Sequence, residues 1–319
     1  MKVSLGKSKV LLTFLFLLLT LNFLSAQTLR HPVNEPNEQG QDVRPTGHVI
    51  DVPAETMAAQ PAPKAVVQGN GINYHGGPVL HGNVPIYVIW YGNWTNGPKA
   101  SDSQTTVNLI DAFLGGLGGS ALEGVNTTYG DNTANVSGLL HLQSQIFDTG
   151  SQGTNLSNTR LTNLISSHLA NGSLPTDSTG VYLVLTSSNV SERGFCTQFC
   201  GFHTAQTING QNIKWAFVGN VDKCPSGCEA QTTSPNGDSG ADGMANTLSH
   251  EIEEAISDPD LNAWFDSSGQ ENGDKCNFNF GAVQTASNGS KFNQTFGGHN
   301  WLLQQNWRNS GGGACAQHL

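Results

Sequence analysis

The residues best placed to do chemistry lie in the run SHEIEE, which begins at Ser249 on a predicted helix. His250 and Glu254 are four residues apart, so their side chains share one helix face and could bind one metal ion. Glu251 lies one step further round the helix, where a general base acting on a water held by that metal would belong. The spacing resembles the zinc pattern HExxH with Glu254 in place of the second histidine, and carboxylates also bind zinc. The run therefore predicts a zinc site.

A third ligand is expected from the turn after this helix, because catalytic zinc sites hold the metal with three protein side chains. Glu271 and Asp274 follow Glu254 by 17 and 20 residues. Asp274 is the first choice, since it lies close to Cys276, whose expected disulfide would fix the turn. Glu271 is the alternative. His299 is an additional candidate, although it is more simply explained as a loop histidine.

Two other interpretations of these acids stay open, because HExxE alone is a weak motif. The first is a solvated acidic helix end followed by an acidic turn. The second is a calcium site, since calcium prefers oxygen ligands. The oxygens for it would come from Glu254, Asp258, Asp260, Glu271 and Asp274.

Other chemistry has less support in the sequence. His75, His81 and His203 are interpreted as structural, because no ligand stands at a fixed spacing from any of them. The chain lacks the GxSxG motif of elbow-type serine hydrolases. It also lacks a Walker or dinucleotide-binding glycine loop between a strand and a helix.

The elements that would position the site alternate between strand and helix patterns. Runs rich in β-branched and aromatic residues predict strands at 84–91, 139–147, 180–185 and 214–218. Apolar residues at helical spacing predict helices at 107–117 and 160–169, and a last helix from about 243 to 257 that stops before Pro259. This order predicts an α/β (α+β) fold with a mixed, partly parallel sheet and flanking helices.

Composition and the N-terminal region predict a secreted protein. Charged residues make up only 12% of 319 residues, and the net charge of -10 argues against nucleic-acid binding. Basic residues, an apolar run and then small residues at the expected cleavage site predict a signal peptide over 1–26. No later segment is expected to span a membrane. The proline-rich stretch 27–72 is expected to be a linker or propeptide, followed by one globular domain over 73–319. The expected location is extracellular, with the periplasm or cell wall as alternatives.

Six cysteines fit an oxidising compartment and predict disulfide bonds. Cys276 and Cys315 are expected to pair and to close the C-terminal region. The other four, arranged as two C-x3-C pairs, could pair locally or crosswise. A zinc ribbon built from these four is the alternative, which an oxidising compartment disfavours.

Several segments together carry a family resemblance. They are PIYVIWYG from Pro85, VYLVLTS from Val181, GFC from Gly194 with CGFH from Cys200, FVGN from Phe217 with CPSGC from Cys224, and NGDSGADGM from Asn236. Over about residues 74–315 the chain resembles the Exordium, or phosphate-induced protein, family. The resemblance implies an extracellular or cell-wall-associated protein with no settled biochemical activity.

The segment after this match departs from the plant pattern, which has no His-Glu pair where this chain has His250 and Glu251. From Ser249 to Cys276 the chain instead resembles a microbial branch with the pattern SHExxEAxxDP followed by GDKC. That branch is similar to a zincin-type metallopeptidase core. The resemblance implies a strand, helix and further strands before the His-Glu helix.

Two functions follow as hypotheses. The first is a secreted zinc-dependent hydrolase, most simply a metallopeptidase acting on extracellular peptides, with Glu251 as the base. The second is a non-catalytic protein that binds a cell-wall polymer, with a structural acidic site that could hold calcium. In that case Trp94, Trp264, Trp301 and Trp307 could stack on sugars if exposed. Neither hypothesis involves nucleic acid, or a membrane once the signal peptide is removed.

Overall fold

A six-stranded mixed sheet forms the centre of the fold in the computed structural model, which describes Met1, residues 42–43 and residues 71–319. The predicted signal peptide and most of the 27–72 stretch lie outside the described residues. In spatial order the strands are β1 (Asp42–Val43), β8 (Gly201–Ile208), β9 (Gln211–Gly219), β6 (Val181–Thr186), β3 (Asn83–Tyr91) and β4 (Leu139–Asp148). Strands β4, β3, β6 and β9 are parallel, whereas β8 is antiparallel to β9 and β1 to β8.

Short strands decorate this sheet in two-stranded pairs. The pairs are β2 (Asn73–Tyr74) with β10 (Trp264–Phe265), β5 (Asn155–Leu156) with β7 (Ser191–Glu192), β11 (Gln284–Thr285) with β12 (Lys291–Phe292), β13 (Gln294–Phe296) with β14 (His299–Trp301), and β15 (Asn306–Arg308) with β16 (Ala314–Ala316). Most of them lie after residue 263, so the C-terminal region consists of turns and hairpins.

Five α-helices accompany the strands in the described part of the chain. They are α1 (Gln104–Leu117), α2 (Ala121–Asn126), α3 (Asn158–Ala170), α4 (Pro225–Cys228) and α5 (Ser239–Ser257). Four of these helices begin after an N-cap side chain that accepts a backbone N–H of the first turn. The capping residues are Ser103, Ser120, Ser157 and Asp238. Within the described ranges, no helix combines the length and apolar character needed to cross a bilayer.

The central strands are buried on both faces, because helices cover both sides of the sheet. Successive side chains of β3 point to opposite faces. Ile86 and Val88 join the core formed with α1 and α5, whereas Tyr87 and Ile89 join the core formed with α3. This arrangement explains why β3 is a nearly continuous apolar run.

The sequence predictions of the mixed sheet and flanking helices are confirmed, with small shifts at the boundaries. Helix α5 begins at Ser239, four residues earlier than expected, because the side chain of Asp238 caps it by accepting the Ala241 N–H at 3.0 Å. Strand β8 was not among the predicted strands. Its hairpin signal is Asn209-Gly210, whose positive φ angles of 52° and 82° suit a two-residue turn.

Three disulfide bonds account for all six cysteines. Cys276 pairs with Cys315, as expected. The central four pair crosswise, Cys196 with Cys224 and Cys200 with Cys228. They tie the loop before β8 to the segment that leads into α5. A zinc ribbon from these cysteines is therefore wrong, because the thiolates it needs are consumed, and the bonds are typical of an oxidising compartment.

Candidate metal centre

Helix α5 buries 18 of its 19 residues, including several ionisable ones. Leu248 and Ile252 pack into the core beneath the sheet. The opposite face carries His250 and Glu254, and it is covered by the C-terminal region, which contacts it through polar groups such as Gln304. The helix is therefore apolar toward the sheet and ionic toward the C-terminal region.

Three predicted site residues meet on that ionic face. His250 Nε2 lies 3.1 Å from Glu254 Oε1 and 3.7 Å from Asp274 Oδ1. The backbone N–H of Asp274 also donates to Glu254 Oε1 at 3.1 Å, which fixes the turn against the helix. These ligand atoms all lie within 4.8 Å of one another, a separation at which one ion could contact each of them.

A second group of ligand atoms shares Glu254. His203 Nε2 lies 3.1 Å from Glu271 Oε2 and 3.4 Å from Glu254 Oε2. The two oxygens of Glu254 therefore face different histidines, Oε1 toward His250 and Oε2 toward His203. This geometry could hold one ion on either side of the Glu254 carboxylate, or two ions bridged by it.

His203 is the residue that sequence reasoning missed. It was interpreted as structural, but it lies on β8 and is only 2% exposed beside Glu254 and Glu271. Burial alone would lower its pKa, yet the neighbouring carboxyls of Glu271 and Glu254 outweigh burial and raise the pKa well above its usual value. The unrecognised signal was the Asn209-Gly210 turn, which predicts a hairpin and thus a strand carrying His203.

The carboxyl groups of the cluster differ in charge. Burial would raise the pKa of Glu254, but His250 and His203 lower it to about 2, so this side chain is ionised. Burial raises the pKa of Glu271 well above its usual value, and the attraction of His203 does not offset it. Without a metal, the cluster thus combines an ionised Glu254 with protons on Glu271 and His203.

Several buried atoms of the cluster are left without a well-aligned hydrogen bond among the described residues. They include His250 Nε2, Glu254 Oε2 and Glu271 Oε1. Buried polar atoms are normally hydrogen-bonded, whereas these atoms lie close together in the cluster without such a bond. Imidazole nitrogens with carboxylate oxygens are zinc ligands, so the residues present fit a zinc ion.

The C-terminal region also contacts His250 at Nδ1, the ring nitrogen that faces away from Glu254. Gln304 Nε2 lies 2.8 Å from His250 Nδ1 and 3.0 Å from Gly273 O. A Cβ added to Gly273 would stand 2.8 Å from His250 Cγ, so only a glycine lets the turn approach the ring this closely. The Gln304 amide donates to both acceptors, so His250 Nδ1 accepts and Nε2 carries the ring proton, which zinc binding at Nε2 would release.

Glu251 lies on a neighbouring face of α5, turned toward β8, and is fully buried. A Cβ added to Gly201 would stand 3.1 Å from Glu251 Oε1. The structure thus brings His250, Glu254, Asp274 and Glu271 into one cluster, and places Glu251 beside the strand that supplies His203. The assignment of Glu251 as a base stays a prediction.

The five acids of the calcium interpretation do not form one group. Asp258 Oδ1 accepts the backbone N–H groups of Asn262 and Ala263, both at 2.6 Å. Asp260 accepts a hydrogen bond from Asn212 and lies 3.7 Å from Lys214. The remaining three acids share their cluster with two histidines, a donor set that suits zinc better than calcium.

The remaining candidates lie elsewhere. His299 is on β14, packed beside Trp301 at 5.7 Å between ring centroids, and belongs to neither ligand group. Trp94 and Trp301 are 2% and 0% exposed, so neither offers a ring face to a sugar. Trp264 and Trp307 are partly buried.

Fold and site together define a disulfide-bonded α+β domain with a buried histidine–carboxylate cluster on its last long helix. The family model for the phosphate-induced protein 1 conserved region matches residues 72–300, and the chain belongs to this family. The resemblance stated from the sequence is thereby confirmed. Its microbial branch and the metallopeptidase motif stay predictions.

The chain is similar to named plant proteins of this family. It is 31% identical to "Protein EXORDIUM-like 5" of Arabidopsis thaliana over 271 residues, 74% of this chain and 75% of that protein. It is 34% identical to "Protein EXORDIUM-like 3" of the same plant over 61% of this chain and 64% of that protein. It is 26% identical to "Protein PHOSPHATE-INDUCED 1" of Nicotiana tabacum over 61% of this chain and 67% of that protein. No solved structure shows significant similarity.

Proposed function

We propose that this chain is a secreted, metal-dependent hydrolase, most simply a peptidase, and that His203, His250, Glu254, Glu271 and Asp274 form its metal centre. The observation that carries the proposal is the division of Glu254 between two histidines, with Oε1 3.1 Å from one and Oε2 3.4 Å from the other. A buried cluster of imidazole and carboxyl groups in which several ligand atoms lack a hydrogen bond supports a bound cation.

Secretion is part of the same proposal. The three disulfides favour an oxidising compartment. The signal peptide expected over 1–26 would deliver the chain there. A zincin-like core is likewise proposed, supported by the order of strands and helices and by the packing of α5 against the sheet.

Each residue has a distinct proposed role. When bound, zinc would polarise the substrate carbonyl and make water more acidic. His250, Glu254 and Asp274 would hold the ion, with His203 and Glu271 completing the centre or holding a second one. Glu251 would take a proton from water as its oxygen bonds to the carbonyl carbon, and pass that proton to the amine released when the C–N bond breaks.

A second candidate is supported by one observation. The side chains of His250, Glu251, Glu254 and Glu271 are all 0% exposed, so a substrate cannot reach them in this conformation. This favours a non-catalytic extracellular protein whose cluster is a structural ionic or metal centre. The two candidates differ in whether a metal-loaded protein hydrolyses peptides.

The test measures metal and activity in the same preparations of secreted protein. Plasma mass spectrometry of the unaltered chain should give about one or two zinc ions per molecule. Glu254→Gln should lose the metal, and Glu253→Gln is the matched control, because Glu253 is an equally buried neighbour outside both ligand groups. Absence of any metal, or equal metal in the Glu254 and Glu253 variants, would refute the metal centre.

Activity then separates the two candidates. Glu251→Gln should retain the metal and lose hydrolysis of a mixed fluorogenic peptide library. Metal bound without hydrolysis in any form of the chain, including one that lacks residues 27–70 and keeps the core residue Ile72, would leave the structural centre as the function.

A further inference from the structure

The strand that carries His203 lies next to one end of the sheet. On one side β8 pairs with β9 along its full length, and on the other it pairs with the two residues of β1. The register is antiparallel, with Asp42 opposite Phe202 and Val43 opposite Gly201. Strand β1 belongs to the proline-rich stretch that precedes the globular domain, and its two residues pair with the sheet beside the candidate metal centre.

The backbone of β8 is suited to bind a further strand. Its two-residue hairpin closes at the pair Ile208 and Gln211, which exchange hydrogen bonds in such turns. Because hydrogen-bonded and non-bonded pairs alternate, Gly201, His203, Ala205 and Thr207 direct their N–H and C=O groups away from β9. Among the described residues, no strand pairs with residues 203–208 on that side. This row of donors and acceptors is what an extended peptide needs.

The same edge passes directly beside the proposed reaction site. Alternate residues share a face, so Gly201 and His203 both point toward α5. The side chain of His203 enters the ligand cluster, and Gly201 adjoins Glu251. Strand β1 also contacts α5. Neighbouring strands are separated by about 4.8 Å, so a peptide paired with β8 runs one strand spacing from the residue that supplies His203.

We propose that the edge of β8 is the binding site for an extended polypeptide substrate, and that the Asp42–Val43 segment occupies this site in the intact chain and blocks it. This inference rests on the proposed hydrolase function. Main-chain hydrogen bonds supply the affinity in strand addition, so the substrate class is an unfolded or loop segment of polypeptide with little dependence on its side chains. Displacement of the Asp42–Val43 segment then activates the protein.

Two proline variants of the full chain test the pairing. Val43 faces Gly201, whose backbone groups point outward, so Val43→Pro removes a hydrogen bond to β8. Asp42 faces Phe202, whose groups point to β9, so Asp42→Pro leaves the pairing bonds intact and is the matched control. Each substitution affects at most one backbone hydrogen bond, so both variants should unfold close to the temperature of the unaltered chain.

The probe is a labelled synthetic peptide with the sequence of residues 38–48, measured by fluorescence anisotropy in the Glu251→Gln background to prevent cleavage. Val43→Pro should bind it about tenfold more tightly than the unaltered chain, as expected when a competing internal strand is weakened, and Asp42→Pro should not. Equal binding by all three proteins would overturn the inference.

Hydrolysis, measured with Glu251 present, keeps the two proposals distinguishable. Tighter peptide binding by Val43→Pro without hydrolysis would support the edge site and refute the hydrolase. Equal hydrolysis by the unaltered chain and Val43→Pro would refute the blocking segment and leave the hydrolase in place.

Discussion

Glu123 offers a test of how the buried ionic face of α5 is stabilised. This residue lies on α2 and is 0% exposed. Its Oε1 accepts a long hydrogen bond of 3.4 Å from Asn126 Nδ2, and its Oε2 has no partner among the described residues. Burial raises the pKa of Glu123 to about 8, because the weak contact with Asn126 does not compensate for lost hydration. The replacement Glu123→Gln keeps the shape of the side chain and removes its ionisable group.

The direction and size of the effect follow from the two pKa values. Between pH 4.5 and about 8 the unfolded chain has lost this proton while the folded chain keeps it. The folded state is therefore favoured fully below that window, and its stability falls by about 1.4 kcal/mol per pH unit across it. Over the whole window the loss amounts to about 5 kcal/mol, which Glu123→Gln should abolish.

Urea unfolding at pH 5, 6, 7 and 8, with a chelator present, measures this difference. The stability of Glu123→Gln relative to the unaltered chain should rise steadily with pH, while contributions common to both proteins cancel. Asp177→Asn is the control. Burial would raise the pKa of Asp177, but hydrogen bonds from Thr179 lower it, so this residue is ionised in both the folded and the unfolded state. The stability difference between Asp177→Asn and the unaltered chain should therefore not change with pH. A stability difference between Glu123→Gln and the unaltered chain that also does not change with pH would refute the reasoning.

Two further substitutions test the framework of the site. Gly273→Ala places a Cβ 2.8 Å from the ring of His250, and it does so without backbone strain because φ at Gly273 is -70°. It should weaken zinc binding about 10- to 100-fold in a competition with a chromophoric chelator. Unchanged affinity would contradict the placement of His250. Replacing Cys276 and Cys315 together by Ala opens a loop of 39 residues and should cost about 4 kcal/mol in urea unfolding, so a loss below about 1 kcal/mol would contradict the loop-entropy argument.

The fold was predictable where burial leaves a pattern in the sequence. Strand β3 is apolar because both its faces are covered, and α1 shows helical spacing because only one of its faces is. Strand β8 is different, since residues 204–207 are partly or wholly exposed and its sequence has no continuous apolar run. The crossed disulfides could not be predicted either, because two C-x3-C pairs allow more than one connectivity.

The candidate site was predictable to the extent that it is local. The i, i+4 spacing predicts that His250 and Glu254 share a helix face, and in the structure their atoms lie 3.1 Å apart. Asp274 and Glu271 were expected from the following turn. His203 comes from a strand nearly fifty residues earlier, and only the pairing of β8 with β9 brings it to the helix. Spacing along the chain carries no signal for such a contact.

The cost of burying this cluster gives the strongest physical reason to expect a cation in it. Removing ionised groups from water is unfavourable by several kcal/mol each unless they are closely paired and hydrogen-bonded. In the absence of metal, Glu254 keeps its charge only because histidines lie on both sides, and protons on His203 and Glu271 occupy positions from which these groups would bind a metal. A divalent ion would replace those protons and supply the positive charge directly. Under the proposed function, the same atoms would therefore hold protons in the metal-free protein and a cation in the loaded one.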